Sequence, residues 1–269
     1  MDHLANAIPA KDLKLSENYK IKVALTGPSG SGKSTGFTTM PGNILVIDYD
    51  GRKETYEGYP NVDVLPCEHP DPLSPKAWTM AEEIRKEIVK KVKDKTFDYD
   101  SVIEDGLSSL LSICMRWCLL LDPKRGLGGV PAMQHYLPQM VKVADHIKSY
   151  ISLPIHYGLA MHLEIIEDEE MGGLKYLPKA TGKMRTDIPN WFNESYFCWR
   201  KDSEDKKTEY FWNTSGTGKW DFLKSTLNSQ GKNWNDPIRV DLNKEPAGFR
   251  LLWEKRFKTK GTKNDKNRA

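Results

Sequence analysis

The chain opens its pattern with a short apolar run, Ile21-Lys22-Val23-Ala24-Leu25, that stops at a glycine-rich stretch. Similar runs recur at Asn43–Ile47, Tyr99–Asp105 and Ile155–His162. Runs of this length bounded by turn residues predict buried strands. Between them the apolar spacing changes to that of helices. One short helix reaches about Met40, where Pro41-Gly42 stops it, and a longer one over Lys76–Lys93 puts Trp78, Ala81, Ile84, Ile88 and Val92 on one face. A third helix runs from Leu107 through Cys118 and a fourth over Pro138–Tyr150. Strands alternating with helices predict a parallel sheet joined by right-handed crossovers. Residues 60–75 hold five prolines and read as an irregular crossing, and 122–138, rich in glycine and proline, as a mobile loop. Beyond His162 the pattern predicts a β-hairpin around Gly172-Gly173, then short strands at Phe197–Arg200 and Glu209–Asn213 that extend the sheet in antiparallel fashion.

Composition changes this picture little. In 269 residues, 38% hydrophobic and 29% charged with a net charge of +3, there is room for one large core, and the charge alone does not argue for a nucleic-acid partner. Three parts are predicted: an N-terminal arm (1–17), a main domain (18–253) and a flexible basic tail (254–269), the last with seven basic and two acidic residues. The first residues lack the basic and apolar regions of a secretory signal, which predicts a cytoplasmic protein. Cys67, Cys114, Cys118 and Cys198 have no ligand-spaced neighbours and read as buried thiols.

Candidate chemistry centres on Gly27-Pro28-Ser29-Gly30-Ser31-Gly32-Lys33-Ser34-Thr35, a complete G-x-x-x-x-G-K-[ST] phosphate loop between a strand and a helix. Its backbone N–H groups converge on one point, where phosphates bind. Lys33 is expected to reach the terminal phosphates and Ser34 to ligate Mg²⁺, with ATP as the default nucleotide. A second Mg²⁺ anchor is needed, and Asp105 ends a strand ahead of a helix. Glu104, one residue earlier, points to the opposite side if the strand alternates. Asp50, two residues beyond Asp48, is placed to orient or deprotonate the attacking water; the competing reading is that both acids cap the next loop. His162 ends another strand and suits a polar sensor of the terminal phosphate, or a structural role.

The order of these parts resembles the RecA-like core, in particular the short phage-encoded ATP-binding proteins of the Sak-type single-strand annealing group. The residues that carry the resemblance are Gly27–Thr35, Ile44–Asp50, and Val102–Leu111 with its Gly-Leu-Ser-Ser-Leu-Leu. It implies an α/β fold, a mainly parallel twisted sheet flanked by helices and extended by antiparallel strands. It places Asp50 at the catalytic glutamate, Asp105 at the Walker B aspartate and His162 at the sensor. Aspartate is one methylene shorter than glutamate, a setback of more than about 1 Å, on the order of displacements that cost ~100-fold; slow hydrolysis is expected.

The resemblance further implies a homo-oligomer, ring or filament, with ATP between subunits and a cation supplied by the neighbour. Lys183 and Arg185 are the candidates. The implied partner is single-stranded DNA, with a single-stranded-DNA-binding protein as a second. Because Glu164, Glu167, Asp168, Glu169 and Glu170 repel phosphates, DNA contacts are sought instead at Lys124, Arg125, Lys255, Arg256, Lys258 and Lys260. The reading is a DNA-stimulated ATPase of phage recombination or annealing, in the host cytoplasm. Two alternatives stay open: a nucleotide-dependent scaffold that recruits replication or recombination proteins with little turnover, and a P-loop small-molecule kinase.

Overall fold

The structure is a computed structural model, which describes residues 15–16, 18–67, 69, 71, 74–125, 129–167, 172–202, 207–242 and 244–257. Its frame is a parallel sheet of β1 (Lys22–Gly27), β2 (Ile44–Asp48), β3 (Val62–Pro66), β4 (Ser101–Asp105), β5 (His156–Glu167) and β7 (Glu194–Asp202) in the spatial order β7-β1-β5-β4-β2-β3. Antiparallel strands extend it. β8 (Thr208–Asn213) and then β10 (Ile238–Arg239) follow β7, β6 (Leu174–Pro178) pairs with the far half of β5, and β9 (Lys224–Ser225) pairs with β7.

Strand alternation divides the core. Val23, Leu25, Ile44, Val46 and Ile103 face one side, against Phe37 and Phe249 of α1 (Lys33–Phe37) and α6 (Gly248–Phe257). Ala24, Leu45, Ile47 and Val102 face the other, against α2 (Lys76–Lys93), α3 (Leu107–Leu120), α4 (Met133–Ile151) and α5 (Met184–Trp191). Because both faces are covered, these strands read as nearly continuous apolar runs rather than as alternating ones. The apolar face expected of α2 is used as such: Trp78, Ala81 and Ile88 are buried.

Four expectations change. The proline-rich crossing contains β3, whose Val62-Asp63-Val64-Leu65 pairs with β2 and whose Pro66 ends the strand. An edge strand tolerates proline there, since no further ladder bond is lost. The fourth helix begins at Met133, not Pro138, because His135 accepts the Ala132 N–H at 2.9 Å and contacts Asp122 at 3.0 Å, fixing the first turn ahead of the proline. β7 is parallel to β1, since α5 carries the chain back across the sheet before it re-enters. α6 continues to Phe257, so residues 254–257, read as the start of the tail, are its last turn. The hairpin falls where the sequence predicts it, with Glu167 opposite Leu174.

Candidate nucleotide-binding site

Parallel pairing brings the carboxyl ends of the central strands into one row: Asp48 beside Asp105, Asp105 beside Ala160, and Gly27 beside His162. In such sheets the crevice beyond the strand ends is the ligand site. A cavity of about 300 Å³ opens there, lined by residues 29–35 of the phosphate loop together with Asp50, Arg52, Thr55, Asp105 and His162. Gly27 and Pro28 stand behind the lining, and their carbonyls accept the Lys33 ammonium at 2.9 Å each. Burial lowers the Lys33 pKa, partly offset by Cys198, Asp105 and Asp50.

The acids divide as strand alternation requires. Asp105 Oδ2 accepts the Ser34 hydroxyl at 2.8 Å and the Tyr56 hydroxyl at 2.6 Å. Glu104 faces the other way, fully buried, and accepts from Tyr49 at 2.7 Å, from Tyr157, and from His146 at 2.6 Å. Asp48 is the loop cap: its carboxylate accepts the backbone N–H groups of Asp50 and Arg52 at 3.0 and 2.8 Å. Asp50 is thereby turned into the cavity, and Ser109, which is not part of the cavity lining, donates to its Oδ1 at 2.6 Å. Gly106 lets this happen, since it has φ +115° and a Cβ there would overlap Asp50 Oδ1. His162 is half-buried on the cavity wall, its pKa lowered by burial first and by Lys33 next.

The residues fit a magnesium–nucleotide phosphate. Ser31 Oγ lines the cavity, buried and without a protein hydrogen-bond partner. Gly30 and Gly32 hold left-handed backbone angles, φ 73° and 80°, that leave the loop open to an anion. Ser34 and Asp105 form a hard oxygen pair suited to Mg²⁺.

The other candidate cations lie apart. Neither Lys183 nor Arg185 lines the cavity. Lys183 is 81% exposed, its nearest acid being Asp187 at 4.0 Å, whereas Arg185 is held by Glu164 at 3.1 Å and donates to the Ala180 carbonyl at 3.1 Å. Lys124 and Arg125 are exposed, and Arg125 donates to Val130 O at 3.0 Å. Lys255 and Arg256 are in the last turn of α6, while Lys258 and Lys260 lie outside the described residues. Sequence reasoning did not find Arg52, Tyr56 or Ser109. Arg52 had a signal, four residues beyond Asp48 in the same loop, and Ser109 had one in the Gly-Leu-Ser-Ser string; Tyr56 had none.

With β5 inserted between β1, which leads into the phosphate loop, and β4, and with Ser34 and Asp105 meeting across it, the chain has the fold of a RecA-like P-loop NTPase. A family model described as an AAA domain matches residues 19–222, and the chain belongs to that family. No curated protein matches it. Among solved structures, flagellar accessory protein FlaH from Methanocaldococcus jannaschii is similar over 82% of this chain and 84% of that chain, at 9% identity and a TM-score of 0.36. No helix among the described residues is long and apolar enough to cross a membrane.

Proposed function

We propose that the chain binds ATP with Mg²⁺ in this cavity, hydrolyses it slowly, and uses the cycle to assemble on single-stranded DNA during recombination or annealing. The observation that carries the reading is the convergence of Lys33, Ser34, Asp105, Asp50 and His162 on one cavity. Bound magnesium would neutralise charge on the phosphates, with Ser34 and Asp105 as its protein anchors. Lys33, exchanging the Gly27 and Pro28 carbonyls for phosphate oxygens, would hold the terminal phosphate. Asp50 would orient water and take its proton. Its short side chain and the Ser109 bond to one of its oxygens both favour slow turnover. Arg52 adds a cation at the same cavity from within the chain.

The exposed Lys183 suits a cation lent to a neighbour's nucleotide better than Arg185, which is engaged by Glu164. For DNA, the exposed Lys124 and Arg125 and the basic last turn of α6 are the proposed contacts, and a single-stranded-DNA-binding protein is the proposed second partner. The test is the steady-state ATPase rate with and without single-stranded DNA at low and moderate salt, with Lys33→Ala as the blank. Stimulation that fades with salt is expected. A rate indifferent to DNA overturns the DNA role and leaves a nucleotide-dependent scaffold.

A further inference from the structure

The cavity suits phosphates and magnesium but offers nothing flat to a base. Its lining is phosphate-loop backbone, hydroxyls and charged side chains, with Ala160 and Met161 as apolar members and no aromatic ring among the described residues. A nucleobase is held by stacking on an aromatic or guanidinium plane, so the base of a nucleotide bound here lies beyond this lining. The sheet gives the direction. Asp105 of β4 and Asp50, just past β2, mark the terminal-phosphate end, on one side of β1. The other end of the nucleotide then points past β1 toward β7 and β8.

There the antiparallel extension lies directly on the phosphate loop. A Cβ on Gly36 would stand 2.8 Å from the Trp212 ring, and one on Gly32 would stand 2.8 Å from the Tyr210 ring and 2.9 Å from Leu242. Gly30 faces Arg200, whose Nη1 is 3.1 Å from where a Cβ would be and donates to the Gly30 carbonyl at 3.4 Å, long for such a bond. Arg200 and Tyr210 are directly opposite each other on β7 and β8. Strand alternation puts Arg200 on the face of the buried Tyr196 and Cys198, the side that α1 covers, but at its open end, where the side chain is exposed. Tyr210 and Leu242 are half-buried beside it. No carboxylate among the described residues holds Arg200: Glu209 pairs with Arg239 at 2.7 Å, and Asp202 accepts the Thr208 hydroxyl at 2.8 Å.

We propose that Arg200, Tyr210 and Leu242 form the seat of the nucleotide's base. The guanidinium plane of Arg200 stacks on the base, and Tyr210 and Leu242 supply the carbon surface beside it. Anchorage of the seat and opening of the loop have one cause. Gly30 and Gly32, which leave the loop open to an anion, also let β7 and β8 bring their side chains against it. The antiparallel strands thus hold the base, while the parallel strands hold the phosphates.

This inference rests on the nucleotide reading of the cavity, and inorganic tripolyphosphate, which carries the phosphates without a base, separates the two. Titration calorimetry on the full chain compares ATP with tripolyphosphate, each with Mg²⁺. Arg200 is exposed, and circular dichroism melts check that its variants fold. Arg200→Ala is expected to weaken ATP by about tenfold or more and tripolyphosphate by about twofold or less, since only ATP loses a stacking partner. Arg200→Lys keeps the charge without the plane and is expected to weaken ATP as Arg200→Ala does. Equal weakening of both ligands in Arg200→Ala, or ATP affinity restored in Arg200→Lys, overturns the inference and makes Arg200 a cation for the phosphates or a clamp on the loop. Unchanged ATP affinity in Arg200→Ala also overturns it and puts the base elsewhere. A wild type that binds neither ligand overturns the nucleotide reading as well.

Discussion

Glu104 and Asp105 are consecutive in β4 and serve opposite sides of the sheet. Asp105 meets Ser34 at 2.8 Å on the nucleotide side, while Glu104, fully buried, is enclosed by Tyr49, Tyr157 and His146 on the helical side. His146 in turn contacts Glu82 of α2 at 2.6 Å, and Glu82 pairs with Arg85 at 2.7 Å. One strand thus supplies the proposed magnesium anchor and the centre of a buried charge network from adjacent positions.

The two residues are expected to separate cleanly on mutation. Asp105→Asn keeps the shape and the Tyr56 contact, so the melting temperature changes little while turnover falls by on the order of 100-fold or more. Glu104→Gln removes the fully buried one of the two carboxylates that face His146 and leaves Glu82 as its remaining counter-charge, a loss of up to about 3–5 kcal/mol and on the order of 10 °C in Tm. Thermal melts and ATPase rates on the same preparations check both.

His146 makes the network sensitive to alkali. Burial pulls its pKa down, but Glu104 and Glu82 outweigh this and raise it from 6.5 to about 9. A folded value above the unfolded one means the native state binds the extra proton, so the contribution is complete below about pH 6.5 and lost as pH rises through about 9. The Tm gap between wild type and His146→Gln should be widest in the acidic part of that window and narrow above pH 9. A gap constant from pH 6 to 10 would contradict a charged His146.

Asp50 and Ser109 predict a split between binding and chemistry. Asp50→Asn should lower single-turnover hydrolysis by about 10²–10⁴-fold, the range for a lost general base, with nucleotide affinity nearly unchanged. Ser109→Ala frees the carboxylate and should alter the rate about tenfold or less, again without a change in affinity. Equal loss of affinity and rate in Asp50→Asn would place it in binding instead.

Gly106→Ala probes the same carboxylate through the backbone. The left-handed angle of +115° and the overlap of a Cβ with Asp50 predict a destabilisation of about 1–3 kcal/mol. They also predict a turnover defect beyond that of Ser109→Ala, because Asp50 must move. Denaturant titration and single-turnover rates measure the two effects separately.

The phosphate loop was legible because its chemistry is contiguous: glycines, lysine and hydroxyl must follow one another for backbone and side chain to meet one anion. The division of Glu104 from Asp105 was legible for a related reason, since alternation along a strand is a local geometric rule. The first two strands, α2 and the hairpin were fixed by apolar runs and turn residues within their own segments. Pairing across the chain decided the rest. Nothing near residue 62 announces that β3 lies beside β2, and nothing near residue 194 announces that β7 runs parallel to β1. Likewise His146 meets Glu104, and Tyr56 meets Asp105, only because helices and loops distant in sequence settle over the same strand ends. The sequence by itself determined where the phosphate loop sits, between a strand and a helix. The tertiary structure decided which side chains surround it, because burial of both sheet faces chooses strand neighbours at ranges that no local pattern encodes.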